Sequence, residues 1–157
     1  MAGISISFSN LLELTGALYP LFIICFIVIA SIFNLTLIKG LTYLGGITFC
    51  YTLWMLICVL FNSHRTNAAL TCNLLSLPGY NYSIPSIPVI ISWFTLTYLV
   101  GPMIETSLIN PAVITVMMIL SSITMYYQLQ NNCSTIFGIT LSAILGIIFG
   151  LIWFGIF

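Results

Sequence analysis

Residues 135–157 read TIFGITLSAILGIIFGLIWFGIF, a run without a single charged side chain. A helix needs about 20 predominantly apolar residues to cross the roughly 30 Å hydrocarbon core of a bilayer. The run is therefore long and apolar enough to form a transmembrane helix. Its apolar and polar residues do not alternate as they would in a strand of a membrane β-barrel, so the pattern favours a helix.

The rest of the chain repeats this pattern. Four further runs meet the same criterion, at 18–38, 41–61, 87–104 and 111–129. Only Lys39 and Gly40 separate the first two, which predicts a tight antiparallel hairpin. Pro111 begins the fourth run, where its missing N–H costs nothing. The sequence thus predicts an all-α transmembrane fold, a polytopic bundle of about five membrane-spanning helices in a single transmembrane domain over residues 1–157.

Composition leads to the same conclusion. Of the 157 residues, 61% are hydrophobic and 3% are charged, with a mean hydropathy of +1.25. Soluble domains carry about 25% charged residues, so four charges do not solvate a chain of this size, and the lipid bilayer is its expected solvent. The net charge is zero and no basic patch exists, which argues against a nucleic-acid partner.

Counting the crossings assigns the loops to two faces. Face B carries the N-terminus, the polar loop 62–86 and the turn at 130–134, whereas face A carries Lys39, Glu105 and the C-terminus. One cation falls on each face, Lys39 on A and Arg65 on B, so the positive-inside rule does not orient the chain. Residues 1–16 are left open between a helix lying in the membrane interface and a polar lead-in.

Small residues recur at every fourth position of the last span. Gly138, Ser142, Gly146 and Gly150 would form a stripe along one side of the helix. Transmembrane helices associate by close backbone approach through such residues. Gly and Ser are also common in membrane helices generally, but four in register predict a helix-packing ladder. We expect its partner to be a helix of the same chain, with the fourth span kept close by the short turn at 128–134; a second subunit is the alternative.

Two cysteines fall outside the predicted spans, both on face B. Cys72 and Cys133 are a candidate disulfide if that face meets an oxidising compartment. The same face carries Asn81 and Asn132 in nominal N-glycosylation sequences, and both signs favour a lumenal or exterior position for it. The cysteines inside the spans are expected to behave as small apolar residues.

The residues that usually carry chemistry are scarce. Glu13 and Glu105 are the only carboxylate side chains and are predicted on opposite faces, which argues against a paired-carboxylate site. His64 lacks a nearby acid, and no Cys or His pair has zinc spacing. We therefore predict no enzyme, no catalytic, cofactor-binding or metal residues, and no small-molecule substrate. Glu105 has an alternative role in ion or proton transport.

Residues 93–153 carry a further pattern. A span ends in a Tyr-and-Pro segment, an Asn-led span follows, and a loop Cys precedes a Gly-rich last span ending in Trp. The matching residues are Tyr98, Pro102, Asn110, Cys133, Gly138, Gly146, Gly150 and Trp153. This pattern resembles small polytopic membrane proteins of nucleocytoplasmic large DNA viruses, which are virion inner-membrane or minor capsid-associated proteins. Where many of those proteins carry charged residues after the fourth span, this chain has Gln128, Gln130 and Asn131.

The resemblance implies a structural membrane protein of the virion inner membrane, lying beneath an icosahedral capsid. Its implied partners are other membrane or capsid proteins of the same assembly, and its implied role is to link bilayer and capsid. Two alternatives stay open. One is an organelle-encoded accessory subunit of a respiratory complex in the mitochondrial inner membrane, and the other is a small oligomeric transporter or channel.

Overall fold

The computed structural model describes residues 8–61, 72 and 84–156, and these residues contain five helices and no strand. The helices are α1 Phe8–Phe33, α2 Leu37–Phe61, α3 Ile87–Glu105, α4 Pro111–Gln130 and α5 Ile136–Ile156. Each is long and apolar enough to cross a membrane. The predicted all-α bundle of about five spanning helices is thereby confirmed, and the chain is an integral membrane protein by the length and composition of its helices.

The first turn between helices lies earlier than the predicted break at Lys39 and Gly40. Helix α1 ends at Phe33, residues 34–36 form the turn, and α2 begins immediately after it. The Asn34 amide donates to the Ala30 carbonyl at 2.8 Å, which satisfies one of the groups left free at a helix end. A polar side chain at the helix end therefore decides this boundary, and the charged residue lies inside the next helix.

Helix α1 also begins earlier than the predicted span. It runs without interruption from Phe8, so residues 8–17 continue the spanning helix. Its 26 residues extend to about 39 Å, which exceeds the hydrocarbon thickness of roughly 30 Å. Gly16 lets this extension pack on α4, because a Cβ at Gly16 would lie only 2.5 Å from the Tyr127 Cβ.

The other three helices lie within one residue of the predicted spans at each end. Helix α4 shows the local reason: the Asn110 Oδ1 accepts hydrogen bonds from the backbone N–H groups of Ala112 and Val113, at 3.1 and 3.4 Å. Pro111 occupies the first helical position, where it has no bond to lose. An Asn cap followed by Pro therefore fixes where this helix starts.

Contacts between helices define the two ends of the bundle. Helices α3 and α5 run parallel, because Gly146 lies against Ile90 whereas Phe154, further along α5, lies against Gly101, further along α3. Helix α2 runs the opposite way: its early residue Thr42 accepts from the Trp153 Nε1, near the end of α5, at 3.0 Å. The starts of α2 and α4 and the ends of α1, α3 and α5 thus share one end, face A.

The main core lies between α2, α3 and α5. Its largest fully buried side chains include Tyr43, Trp54 and Phe94. The Tyr43 hydroxyl is 2.8 Å from the Thr95 Oγ1, so the one polar atom of that ring is hydrogen-bonded inside the core. Large apolar side chains such as Phe22 and Leu60 are instead exposed on the outside of the bundle, where a bilayer would solvate them.

Candidate functional site

The small-residue ladder of α5 lies against α3 and the segment that precedes it. All four of its residues are buried. A Cβ at Gly146 would lie 2.6 Å from the Ile90 carbonyl oxygen, and one at Gly150 would lie 2.7 Å from the Thr97 Cβ. The two backbones therefore approach closely, and the partner of the ladder is a helix of the same chain.

The neighbour expected from the short turn was α4, and the structure gives α3 instead. Helix α5 touches α3 far more extensively than it touches α4. Helix α4 packs mainly on α1, where Tyr127 lies over Gly16. The stripe of small residues marks a face that packs closely, but it carries no information about which helix fills that face.

Ser142 is the polar member of the ladder, and its hydroxyl has two buried partners. It accepts from the Ser86 backbone N–H and donates to the Gly138 carbonyl, each at 2.6 Å. Ser86 is the N-cap residue of α3, but its side chain caps nothing in that helix. The Ser86 hydroxyl lies 3.3 Å from the Gln128 Oε1 of α4 instead. The Ser142 hydroxyl of α5 thus forms a hydrogen bond with the backbone at the start of α3.

A second bond holds the same segment from another helix. The Trp54 Nε1 donates to the Pro85 carbonyl at 2.8 Å, and both residues are buried. Sequence reasoning missed the roles of Ser86 and Gln128. The sequence does carry a signal for Ser86: a Ser two residues before a Pro, here Pro88, is typical of the start of a helix.

Cys72 and Cys133 are joined by a disulfide in the structure, with their Cα atoms 5.5 Å apart. Both are buried, and they pack with Tyr127 of α4 and Ala17 of α1. The Cys133 backbone N–H donates to the Gln128 carbonyl at 2.9 Å, which fixes the turn after α4. The disulfide therefore ties the polar loop to face B.

These three links form one group, the face B anchor: the Cys72–Cys133 disulfide, the Trp54–Pro85 hydrogen bond and the Ser86–Ser142 hydrogen bond. The disulfide attaches the polar segment 62–86 at Cys72, in its interior. The two hydrogen bonds attach its last two residues, Pro85 and Ser86. Four helices contribute to the group or to its packing. The anchor thus attaches Cys72, Pro85 and Ser86 of the polar segment to the bundle at face B.

The charged side chains that the structure describes are divided between the two ends of the bundle. Glu13 is exposed in the second turn of α1, near face B, whereas Lys39 and Glu105 are exposed at face A. Among the residues described, no cluster of three or more His, Cys, Asp or Glu side chains suits a metal ion. His64, Arg65 and Asn81 lie outside the described residues, and Asn132 is exposed in the turn after α4.

Face A contains a cavity of about 890 Å³, bounded chiefly by α1, α2, α3 and α4. Apolar side chains such as Ile27, Leu99 and Met117 line it, and Lys39 and Glu105 lie among its polar lining residues. The cavity and the face B anchor are thus at opposite ends of the bundle.

Comparison of the chain with protein-family models, with curated proteins and with solved structures finds no match.

Proposed function

We propose that this protein is a non-enzymatic structural membrane protein of a larger assembly, most specifically a giant-virus virion membrane protein that links bilayer and capsid. The five-helix bundle is its membrane body, and the polar segment 62–86 is its contact with other proteins of the assembly. The resemblance of residues 93–153 to virion membrane proteins supports the viral assignment.

The observation that carries this proposal is the face B anchor. A contact segment that is fixed before binding loses less conformational entropy when a partner docks. The anchor ties segment 62–86 covalently at Cys72 and by buried hydrogen bonds at Pro85 and Ser86. Attachment at these three residues suits a contact that holds a second protein layer near the bilayer surface.

Fractionation of the native host material tests the proposal. The protein should sediment with virus particles, and crosslinking from face B should recover capsid or other virion membrane proteins. Sedimentation with organelle membranes, together with recovery of quinone oxidoreductase subunits, would instead identify the respiratory subunit.

The partner contact can be tested separately on the anchor. A Cys72→Ser variant should lose most of the crosslinked partner while remaining in the membrane, because its contact segment is no longer tied. Cys25→Ser is the matched control, since Cys25 is a free, exposed cysteine in α1. Equal crosslinking by both variants would show that the partner contact does not need the disulfide.

One observation favours the transporter alternative. The cavity at face A places Glu105 beside a space that reaches into the bundle, and an acid at such a position can serve ion or proton movement. That function requires ion flux in liposomes that is lost on Glu105→Gln. Absence of ion flux, combined with sedimentation in virus particles, would exclude transport and support the structural role.

A further inference from the structure

The cavity at face A has the depth of one bilayer leaflet. Its wall on α1 runs from Ile23 to Ser31, and Asn34 in the following turn also lines it. The 8 steps from Ile23 to Ser31 (31 − 23), at 1.5 Å per residue, span about 12 Å, which is close to half of the roughly 30 Å hydrocarbon core. The cavity therefore opens at the membrane surface and ends near the mid-plane.

The lining changes character along this depth. Ile23, Ile27 and Met117 make the deep part apolar, whereas the outer part combines Asn34, Thr36 and the two charged residues with apolar side chains such as Ile38 and Met103. The volume of about 890 Å³ lies within the range of about 300–1,000 Å³ that is common for small-molecule sites. An amphiphile that places one apolar chain in the deep part and its polar head at the rim matches this division.

The charges at the rim are placed against the usual rule for helices. Lys39 lies in the first turn of α2 and Glu105 is the last residue of α3. The N-terminus of a helix favours negative charge and the C-terminus favours positive charge, so both side chains oppose the dipole of their own helix. An anion beside Lys39 and a cation beside Glu105 would compensate both, and a ligand with one charge of each sign supplies them together.

We propose that this cavity binds one zwitterionic glycerophospholipid from the face A leaflet. An acyl chain fills the apolar part, the phosphate lies at Lys39 and the start of α2, and the cationic amine lies at Glu105 and the end of α3. Lys is a strong partner for phosphate, and a helix N-terminus adds to its attraction. A lipid with a net negative headgroup meets the repulsion of Glu105 and binds less well.

Lipid retention by the purified protein tests the headgroup assignment. The protein is reconstituted in vesicles of equal phosphatidylcholine and phosphatidylglycerol, extracted in mild detergent, and weighed with its bound lipid by native mass spectrometry. We expect one retained phosphatidylcholine, preferred over phosphatidylglycerol by roughly tenfold, the size of one charged contact. Glu105→Gln should abolish the preference, and Lys39→Gln should reduce retention of both lipids. Glu13→Gln, at the other face, is the control that should change neither.

A cavity-filling pair tests the position of the acyl chain. Ala30 lines the cavity, so Ala30→Phe should displace the lipid. Ala112 is exposed in the first turn of α4 and does not line the cavity, so Ala112→Phe should retain it. Thermal unfolding of both variants checks that each is folded.

Three results would overturn the proposal. These are equal retention of the two lipids by the native chain, full retention by a folded Ala30→Phe variant, and ion flux from a chain that retains no lipid. The charge variants decide the matter even if Ala30→Phe fails to fold, because Lys39 and Glu105 are exposed and their substitution leaves the core unchanged.

Discussion

Helix α3 is closely packed along one half and open along the other. Every residue from Ile87 to Leu96 except Trp93 is buried, whereas none from Thr97 to Glu105 is. The same helix lies parallel to α5 throughout, and its open half lines the cavity together with α1, α2 and α4. Where α5 presents small side chains the two backbones meet, and the cavity lies at the other end of the bundle.

The change coincides with the end of the ladder. Gly146 brings the backbones together, and the stripe of small residues stops at Gly150. Beyond it, the ring of Phe154 lies over Gly101, 2.9 Å from where a Cβ would be. Phe154 also lines the cavity, which occupies that end of the bundle. The closed half suits a fixed anchor, and the open half suits a ligand.

The largest expected effect is the loss of the disulfide at the closed end. Cys72→Ser should lower the free energy of unfolding by about 4 kcal/mol, because the bond closes a loop with a sequence separation of 61 residues. Protein purified with its thiols blocked should also change mobility on a denaturing gel when reduced. Cys25→Ser should leave the mobility change intact. Identical mobility before and after reduction would contradict the bond.

The second effect concerns the ladder. Gly146→Leu should lower the free energy of unfolding by about 3 kcal/mol, since its Cβ meets the backbone of α3, which has little freedom to move. Gly155→Leu is the matched control in the same helix, because a Cβ there meets nothing within 4 Å. Thermal unfolding in mild detergent measures both. Equal losses would show that the two halves do not differ in packing.

The third effect concerns the hydrogen bond at the start of α3. Ser142→Ala should cost about 2 kcal/mol, because it leaves the buried Ser86 N–H without its acceptor. Thr140 makes a comparable bond to the carbonyl four residues earlier but is exposed, so Thr140→Ala should change stability little. Hydrogen exchange at the Ser86 amide should accelerate in the first variant only. Unchanged hydrogen exchange at the Ser86 amide would show that the Ser142 hydroxyl does not stabilise the start of α3.

The smallest effect is a gain at the open end. Leu35 is 90% exposed with φ of 55° in the turn between α1 and α2, and this left-handed conformation strains a branched side chain. Leu35→Gly should raise the free energy of unfolding by about 1 kcal/mol or less, after allowing for the added freedom of glycine when unfolded. Asn132, at face B with φ of 51°, tolerates that conformation, so Asn132→Gly should be nearly neutral. If Leu35→Gly lowered the free energy of unfolding, the left-handed backbone at Leu35 would not be a source of strain.

Much of this architecture follows from the sequence because hydrophobic length is a strong signal. It predicts five helices, and an Asn–Pro pair fixes the start of α4 within one residue. Boundaries decided by local side-chain bonds were predicted less well. Lys39 is tolerated inside the first turn of α2 because a long charged side chain reaches the polar rim, so charge did not mark the turn.

The candidate sites divide in the same way. The ladder is visible because it is periodic in one helix, but its partner is not, since that depends on how all five helices pack. Crossing counts place Cys72 and Cys133 on one face, whereas the bond from Ser142 to Ser86 links residues 56 positions apart and leaves no local pattern. Lys39 and Glu105 share a rim only because α1 to α4 leave a space between them.

The parallel pairing of α3 with α5 also has a consequence for biosynthesis. The α3 segment is translated before its main partner, because Ile90 precedes Gly146 by 56 residues. At 5–20 residues per second, roughly 3–11 s pass before the contacting part of α5 exists. During that interval the N–H of Ser86 has no Ser142 hydroxyl to bond, and the face of α3 that receives the ladder is uncovered. Until α5 is made, that face of α3 is therefore left to lipid or to other helices such as α4, which already contacts α3 in the finished bundle.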